Sequence, residues 1–396
     1  MPGPLAGLRI FDMTRILAGP TATQVLADLG ADVIKVERPG KGDDVRHWGP
    51  PYLKDADGVE ATADSVYFNA ANRNKRSITL NLAHPEGQAL AKRLIAECDV
   101  LFENYKVGDL AKYGLAYDQI REQFPRLIYC SLTGFGQTGP YAPRAGFDLV
   151  VQGMGGIMSI TGPEDGEPAK VGVGIADIMT GMYSNIAILS ALRHRDATGQ
   201  GQQIDMALLD CQVAWLVNEG MNHLHTGNVP KPWGTAHATI VPYQAFPTTD
   251  GYFILAVGND RQFQRFCAFA GAPALAEDPR FLTNSLRVQH RPDCHHTSDH
   301  WIEGLSAQGV PCGPVNTIDK VFENPQVQAR EMRIELEHSA TGKPEPYIAS
   351  PIKLSETPVS YRRAAPTLGE HTEDVMGEML GLDAAAVAKL RDDGVL

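Results

Sequence analysis

The sequence predicts an α/β protein whose larger domain has a mostly parallel sheet with helices on both faces. Short apolar segments of strand character alternate with longer segments that carry apolar residues at three-to-four spacing through the first third of the chain. Strands that alternate with such helices are joined by crossover connections, which make the strands parallel and cover both faces of the sheet. Pro and Gly cluster after about residue 225, which predicts the start of a second, smaller domain.

The elements of the first region follow one another at short intervals. The predicted strands are LRIFDM (8–13), ADVIKVE (31–37), SITLNL (77–82), DVLFEN (99–104) and LIYCSLTGFG (127–136). The predicted helices are 21–29, 84–98 and about 178–195. Pro85 stands near the start of the second helix, where its missing N–H has no cost.

The remainder of the chain is divided by turn residues. Residues 198–224 are predicted to form a strand and then a long helix. GYFILAVG (251–258) is a strand candidate, GVPCGPV (309–315) a boundary and DAAAVAKLRDD a final helix. The predicted layout is therefore the large domain at 1–200, a linking strand and helix at 201–224, the small domain at 225–317 and a return to the large domain at 318–396.

Composition restricts the class of partner. The chain has 47 acidic and 35 basic residues, a net charge of -12, which argues against nucleic acid and anionic membranes. Its six Cys form no C-x-x-C pair, and we interpret them as reduced thiols. The start, MPGPLAGLRIFDMT, has no signal-peptide pattern, and no apolar run reaches the roughly 18 residues of a membrane span. We expect a cytoplasmic protein without a membrane partner.

Nucleotide-binding signals are weak. The turn after the first strand, TRILAGPTAT (14–23), lacks G-x-G-x-x-G, although Glu37 ends the second strand as the ribose-binding acid of a nicotinamide enzyme would. Basic residues gather near turns, where they are either a solvated face or contacts for a phosphate-rich ligand. These residues are Arg15, Arg38, Arg73, Lys75, Arg76, Lys106 and Lys112.

Other catalytic patterns are not found. HRPDCHHTSDH (290–300) has four His and a Cys, but the spacing fits no structural zinc site, and we interpret it as a polar loop. The chain has neither a G-x-S-x-G elbow nor a P-loop. No metal is predicted.

One acid stands out in GVGIADIMTG (172–181). Asp177 lies in an apolar, glycine-rich stretch just before a predicted helix, where Asp is a favoured N-cap. Gly172, Gly174 and Gly181 leave room for the approach of a ligand or another backbone. Because an ionised acid in such a site is also a competent nucleophile, capping and catalysis both remain open.

A collinear set of motifs resembles the class III CoA-transferase family over nearly the whole chain. The motifs are LAGP (17–20), GADVIKVERPGKGDD (30–44), RNKRSITLNL (73–82), ENYKVG (103–108), GFGQTGP (134–140), GVGIADIMTGMY (172–183), TGQGQQIDMALLD (198–210), GVPCGPV (309–315) and LGEHT (368–372). The resemblance implies a Rossmann-like large domain built from both chain ends and a smaller middle α+β domain. It also implies an interlocked homodimer, in which two ring-like chains pass through each other.

The resemblance further implies a role for Asp177. The family's nucleophilic Asp matches it, and would form an aspartyl anhydride with the acyl group and then an aspartyl-CoA thioester. One thioester is exchanged for another, so that CoA or acyl-CoA is a substrate and no permanently bound cofactor is needed.

Other site residues carry over by the same matching. The implied CoA contacts are Ile16, Leu17, Ala18, Arg38, Leu80, Asn81, Asn104, Tyr105, Lys106, Lys112, Gly134, Phe135 and Gly136. Trp48 and Tyr67 match positions that shape the acyl pocket in formyl-CoA transferase.

Two alternatives of the same fold concern activity. Acyl-CoA racemases carry a His-Asp pair where this chain has RAGFD (144–148), and the Phe147 ring cannot move a proton. A non-catalytic acyl-CoA-binding protein would keep the CoA contacts and have no need of Asp177.

The middle of the chain resembles the succinyl-CoA–glutarate branch, which implies succinyl-CoA as donor and a dicarboxylate as acceptor. The resembling stretches are PWGTAHATIVPYQAF (232–246), GNDRQF (258–263) and LRVQHR (286–291). His237, with a basic neighbour, is a candidate for holding the distal carboxylate. Relatives have a longer helical segment where this chain has only PDCHHTSD (292–299), which bears on acceptor selectivity.

Overall fold

The computed structural model describes residues 3–248, 251–290 and 298–396. The strands in those ranges are β1 (Arg9–Asp12), β2 (Asp32–Glu37), β3 (Tyr52–Lys54), β4 (Glu60–Ser65), β5 (Lys75–Thr79), β6 (Val100–Glu103), β7 (Ile128–Thr133), β8 (Gln203–Ala207), β9 (Tyr243–Thr248), β10 (Gly251–Ala256), β11 (Cys312–Pro314), β12 (Arg333–His338) and β13 (Lys343–Ile348).

The helices of the same ranges include three short 3-10 turns, at Asp44–His47, Asp109–Tyr113 and Ile157–Ile160. The α-helices are α1 (Ala18–Asp28), α2 (Val66–Ala70), α3 (Pro85–Ala96), α4 (Tyr117–Ile120), α5 (Asp148–Met154), α6 (Ile175–Thr198), α7 (Leu208–Ala214), α8 (Val217–Thr226), α9 (Asp260–Phe269), α10 (Ala274–Glu277), α11 (Asn284–Gln289), α12 (Ser298–Ala307), α13 (Ile318–Glu323), α14 (Pro325–Ala329), α15 (Thr372–Leu380) and α16 (Ala384–Asp392).

A six-stranded parallel sheet has the order β5-β2-β1-β6-β7-β8. Numbered by their succession in this sheet, the strands run 3-2-1-4-5-6, which is the Rossmann order. The chain builds outward from β1 in one direction and then restarts beside it with β6. The loops that leave these two strands therefore diverge and open a crevice at the carboxyl edge, where ligands of such sheets bind.

The four central strands, β2, β1, β6 and β7, supply both faces of the sheet with apolar side chains. In β1, for example, Ile10 packs into one core cluster and Phe11 into the other. Period-two alternation sends neighbouring side chains to opposite faces, and parallel sheets are covered on both. The helices α1 and α6 cover one face, while α3, α15 and α16 cover the other.

The chain divides into two compact units. The first contains the chain up to Gly156, Val171–Met221 and Ala329–Leu396, and includes the parallel sheet. The second contains the described residues of Ile157–Lys170 and Asn222–Gln328. Its antiparallel sheet has the order β11-β10-β9, and one face of that sheet carries the core residues Phe246, Phe253 and Leu255.

The α/β prediction is confirmed, and every strand predicted before residue 137 is present within a few residues of its predicted bounds. The long helix expected before residue 224 is instead two helices, α7 and α8, because the backbone turns at Val217, whose φ is 36°. The β3–β4 hairpin was not predicted; its Glu60–Ser65 segment lacks the apolar alternation that signals a strand.

A helix can also meet the length and the mean composition of a membrane span without an unbroken apolar run. Among the described residues α6 meets both, with a mean hydropathy of 1.3. This helix packs closely against α1, and its buried residues include Ile188 and Ala191. An apolar core helix passes the same test.

Candidate active site

The crevice between β1 and β6 is bridged by one side chain. Asn104, just after β6, accepts a hydrogen bond from the Arg15 N–H through Oδ1 at 3.0 Å. Its Nδ2 donates to the Arg15 carbonyl at 2.8 Å. The two loops at the reversal point of the sheet are thus held in fixed register, and residues of both line a cavity.

A cavity of about 310 Å³ opens at this crevice, and predicted site residues from four separate segments meet there. Those residues are Ile16, Leu17, Ala18, Asn104, Tyr105, Lys106, Gly134 and Asp177. The lining also includes Arg15, Asp44 and Phe147.

A second cavity of about 250 Å³ adjoins the first, since both are lined by Arg15, Asp44, Tyr105 and Asp109. It contains the remaining predicted nucleotide contacts, which are Arg38, Leu80, Asn81 and Lys112. Lys41 lies there as well, so that with Arg15 four basic side chains line this cavity, beside the acids Glu37, Asp43, Asp44 and Asp109. Cationic side chains at this spacing suit phosphate groups.

Asp177 lies in the first turn of α6 and is 9% exposed. The capping interpretation of this residue is wrong, because Gly174 is the N-cap and no side chain of α6 caps the helix. The N–H of Ala176 is instead satisfied by a carboxylate from another segment, Asp148, whose Oδ1 accepts it at 2.9 Å. The Asp177 carboxylate is therefore not used for capping.

The electrostatics of Asp177 favour its neutral form. Burial and, second, the negative charge of Asp148 raise its pKa from the ordinary 3.8 to about 7. The N-terminus of α6 stabilises an anion, but by less than the combined effect of burial and the like charge. Near neutral pH the site consequently holds a carboxyl group that is poised between its two protonation states.

Asp148 was not predicted as a site residue. It begins α5, and Gln152 Nε2 donates to its Oδ2 at 2.7 Å. Both carboxylate oxygens are thus occupied, one by Gln152 and one by the start of α6. The sequence offered two signals, an acid at the start of an apolar helix and the match of RAGFD (144–148) to the His-Asp pair of racemases, and helix starts carry acids for many reasons.

The glycines around Asp177 allow close packing of α1 on α6. A Cβ at Gly174 would lie 2.9 Å from the Leu17 side chain, and one at Gly181 would lie 2.6 Å from the Ala18 carbonyl oxygen. At Gly172, by contrast, a Cβ would meet no described atom within 4 Å. Two of the three glycines therefore bring the start of α1 against the turn that carries Asp177.

A further glycine pair forms part of the wall of the first cavity. A Cβ at Gly134 would stand 2.4 Å from the Gly146 Cα, so the two backbones are in contact. Phe135 packs edge-on against Tyr141 at 5.7 Å, while Gly136 lies outside both cavities and its N–H donates to Thr133 Oγ1. Of the predicted 134–136 segment, only Gly134 lines the site.

Trp48 and Tyr67 are brought together, with ring centroids 6.1 Å apart. Burial and then the charges of Asp177 and Asp148 raise the pKa of Tyr67, which places its hydroxyl within the field of the acidic pair. These two side chains are 46% and 37% exposed, so both present an apolar surface.

His237 lies in the second unit, where its ring contacts Tyr243 at 5.4 Å and its Nδ1 accepts the Thr239 N–H. In the described ranges, no group of three or more His, Cys, Asp or Glu is arranged to hold a metal ion. The 291–297 part of the His-rich segment, and most of the shortened 292–299 stretch, lie outside the described residues.

Comparison with known proteins shows a family relationship along almost the whole chain. The family model for CoA-transferase family III matches residues 5–372. The succinate–glutarate CoA-transferase of Agrobacterium fabrum is 50% identical over 392 residues, which cover 97% of either chain. The succinyl-CoA:glutarate CoA-transferase of Homo sapiens is 43% identical over 405 residues, covering 99% of this chain and 90% of that protein.

The solved structures show the same relationship. A CAIB/BAIF family protein from Brucella suis is 48% identical and superposes with a TM-score of 0.83. The superposition covers 96% of this chain and 100% of that one.

Proposed function

The chain belongs to CoA-transferase family III, and from that premise we propose that it moves CoA from succinyl-CoA to a dicarboxylic acid such as glutarate. The names of near full-length relatives at 43 and 50% identity support this donor and this acceptor. The observation that carries the proposal is the buried Asp177 carboxylate, which lines the same cavity as the loops of the Rossmann crevice.

In the proposed mechanism Asp177 is the nucleophile. Its carboxylate oxygen attacks the thioester carbonyl, the C–S bond breaks, and CoA leaves as thiolate from an aspartyl anhydride. The thiolate then attacks the aspartyl carbonyl, which releases the donor acid and leaves an aspartyl-CoA thioester. The acceptor carboxylate then attacks this thioester, forms a second anhydride with Asp177 and releases CoA as thiolate. The thiolate attacks the acceptor's carbonyl in that anhydride, which forms the new acyl-CoA and frees Asp177. Each step exchanges one acyl bond for another, so no external energy source is consumed.

The same geometry disfavours the racemase alternative. Phe147, which stands where racemases have a proton-carrying His, lines the cavity with Asp177 and is 56% exposed. A phenyl ring has no titratable group, so that only one side of a bound acyl group would meet a proton acceptor.

We also propose that the chain forms the interlocked homodimer of its family, with the large domain at 1–200 and 318–396, the link at 201–224 and the small domain at 225–317. The family resemblance supports this proposal. Light scattering of the purified protein should give twice the chain mass of 42.9 kDa.

The direct test is transfer of CoA. Purified protein is incubated with succinyl-CoA and, separately, glutarate, 3-hydroxy-3-methylglutarate, adipate, itaconate, citramalate, oxalate, formate or carnitine, and new acyl-CoA species are followed by mass spectrometry. A glutaryl thioester supports the proposal, while transfer only to another acid would keep the reaction and change the acceptor. Binding of CoA without any transfer would favour the non-catalytic alternative. Exchange of an α-proton for deuterium in a 2-methylacyl-CoA would favour the racemase.

Asp148→Asn is expected to move the pH profile. Transfer requires ionised Asp177, so kcat/KM for succinyl-CoA should rise with pH through the pKa of about 7. Removing the adjacent negative charge lowers that pKa, and the midpoint should move to lower pH, although burial keeps it above 3.8. Asp196→Asn removes an exposed charge from the same helix and should leave the midpoint in place. An unmoved midpoint in Asp148→Asn would contradict this account of Asp177.

Arg38→Gln is expected to weaken acyl-CoA binding by roughly tenfold, the usual cost of a lost hydrogen bond to a charged group. Arg38 lines the second cavity, where we place the phosphates of CoA. KM for succinyl-CoA should rise while kcat is retained, because Asp177 is untouched. Arg121→Gln makes the same change of charge on a side chain that lines neither cavity and should leave KM unaltered. Equal KM values for both variants would place the phosphates elsewhere.

A further inference from the structure

Four charged side chains are buried beneath the Thr14–Ile16 loop, which follows β1 at the crevice. Asp12, Lys35 and Lys75 have no exposed surface, and Asp43 is 1% exposed. Lys35 Nζ lies 2.8 Å from Asp43 Oδ2, and Lys75 Nζ lies 3.3 Å from Asp12 Oδ2. Burial opposes the charge on Lys35, yet the neighbouring carboxylates of Asp43, Glu37 and Asp12 hold its pKa above the ordinary value. Buried ion pairs are a poor source of stability, so their contacts indicate another role.

The first contacts are with Thr14, which follows β1. Its N–H donates to Asp12 Oδ1 at 2.9 Å, and its carbonyl accepts from Lys35 Nζ at 3.0 Å. The peptide groups on both sides of Thr14 are therefore bound by buried charges. Such charge-assisted hydrogen bonds are stronger than neutral ones, and they fix the loop where it leaves the sheet.

The next two residues of the loop are held in the same way. Asn104 binds both the N–H and the carbonyl of Arg15, and the Ile16 N–H donates to Asp43 Oδ1 at 3.1 Å. Ile16 has a φ of 73°, a left-handed conformation that is costly for a β-branched residue. The surrounding side chains therefore hold a strained backbone that the loop would not adopt alone.

This strained loop sets the start of α1 against the nucleophile. Leu17 follows it and packs on Gly174, while the carbonyl of Ala18 meets Gly181. These two contacts lie on either side of Asp177 along α6. A displacement of the loop would therefore reach the position of the Asp177 carboxylate through the packing of α1 on α6.

We propose that Lys35, paired with Asp43, is a positioning residue for acyl transfer, acting through the Thr14–Ile16 loop on the packing of Leu17 and Ala18 around Asp177. The role rests on the proposed function, because it presupposes that Asp177 attacks the thioester. In this proposal the buried ion pair keeps the reacting groups aligned. A displacement near 1 Å costs on the order of 10²-fold in rate.

The principal variant is Lys35→Met, which keeps most of the length of the side chain and removes the ammonium group that contacts Thr14. We expect kcat for CoA transfer to fall by roughly 10- to 100-fold. KM for succinyl-CoA should rise by a smaller factor, because the displaced loop carries Ile16, Leu17 and Ala18 of the first cavity while the basic side chains of the second cavity are untouched. The melting temperature should also fall, because Asp43 is left buried without its counter-charge.

The double variant Lys35→Met with Asp43→Asn separates positioning from stability. An amide costs less to bury than an unpaired carboxylate, so the melting temperature should recover. The Thr14 contact stays lost, so kcat should stay low. A kcat that recovers with the melting temperature would overturn the proposal, as would an unchanged kcat in Lys35→Met.

Arg195→Met is the matched control. Arg195 is a mostly buried partner of Asp99, at 2.8 Å, on the same helix as Asp177 and roughly 27 Å further along its axis. It should lower the melting temperature and leave kcat unchanged. If Lys35→Met does not fold, the double variant replaces it in this comparison; a lowered kcat then supports the proposal, and an unchanged kcat overturns it.

Amide hydrogen exchange gives a reading that does not depend on turnover. Exchange at residues 14–18 should be faster in Lys35→Met than in the parent protein or in Arg195→Met. If the parent protein transfers no CoA while this difference is present, the proposed function fails and the control of the loop by Lys35 stands. If the parent transfers CoA and exchange is unchanged, the positioning role fails.

Discussion

Replacing Asp177 by Asn is expected to abolish CoA transfer, with a loss of about 10⁴-fold or more, as for other catalytic nucleophiles. The amide is nearly the same size as the carboxylate but cannot form the anhydride. The loss should appear in the first turnover as well, so that mixing the variant with excess succinyl-CoA gives no burst of free succinate, the acid released when CoA is transferred to Asp177. Binding of CoA should persist, since the second cavity lies on other segments.

Stability provides the control for correct folding of this variant. The pKa of Asp177 is raised from 3.8 to about 7 in the folded chain, so the native state binds its proton more tightly than the unfolded state. The stability linked to that proton is complete below about pH 4 and is lost as pH rises to about 7. Asn carries no charge at any pH, so Asp177→Asn should be more stable than the parent at pH 8, by roughly 2 to 4 kcal/mol. Thermal unfolding at pH 5 and 8 measures this difference, which should shrink at pH 5.

Either of two results would contradict the assignment. Transfer by Asp177→Asn at more than a few per cent of the parent rate would exclude Asp177 as the nucleophile. A variant that loses activity and is also less stable than the parent at pH 8 would show that the carboxylate is structural. Loss of activity alone does not identify the nucleophile, because a variant with a damaged fold is inactive as well.

Gly181→Ala is expected to impair both stability and transfer. A Cβ there would lie 2.6 Å from the Ala18 carbonyl oxygen, which belongs to the first turn of α1 and cannot rotate away as a side chain would. Overpacking of this kind costs about 1–3 kcal/mol, and the helices must separate to relieve it. Because Asp177 lies one turn before Gly181, separation also displaces Asp177, and kcat should fall by roughly 10- to 100-fold.

Gly172→Ala is the matched control from the same stretch of sequence. Its Cβ would meet no described atom within 4 Å, so the melting temperature and kcat should both stay close to those of the parent. Circular dichroism melts and initial rates at saturating succinyl-CoA compare the two variants. Equal effects of the two substitutions would mean that the α1–α6 contact does not determine the position of Asp177.

The strands could be predicted because they are buried on both faces. DVLFEN and LIYCSLTGFG are nearly continuous apolar runs of strand length, and they became β6 and β7. Their order in the sheet could not be predicted from apolar content. The pairing of β1 with β6 joins segments about 90 residues apart, and both strands offer similar side chains to several neighbours.

The site could be predicted only in part. Asp177 is a lone acid among glycines and apolar residues, and this contrast is visible in sequence. Asp148 is not visible, because its contact with the start of α6 joins positions 28 apart. The capping prediction failed for the same reason: Gly174 begins the helix, and a distant carboxylate takes the N–H that a local cap would have taken.

The return of the C-terminal segment to the first unit has a consequence for biosynthesis. The parallel sheet is fully translated at Ala207, but Val375, Met376 and Val387, which cover one of its faces, come from α15 and α16. A ribosome adds roughly 5–20 residues per second, so about 165 residues and some ten to thirty seconds separate the sheet from its cover. During that interval an apolar face is accessible to self-association. The nascent chain is therefore a natural client for chaperones that shield such surfaces until the last helices emerge.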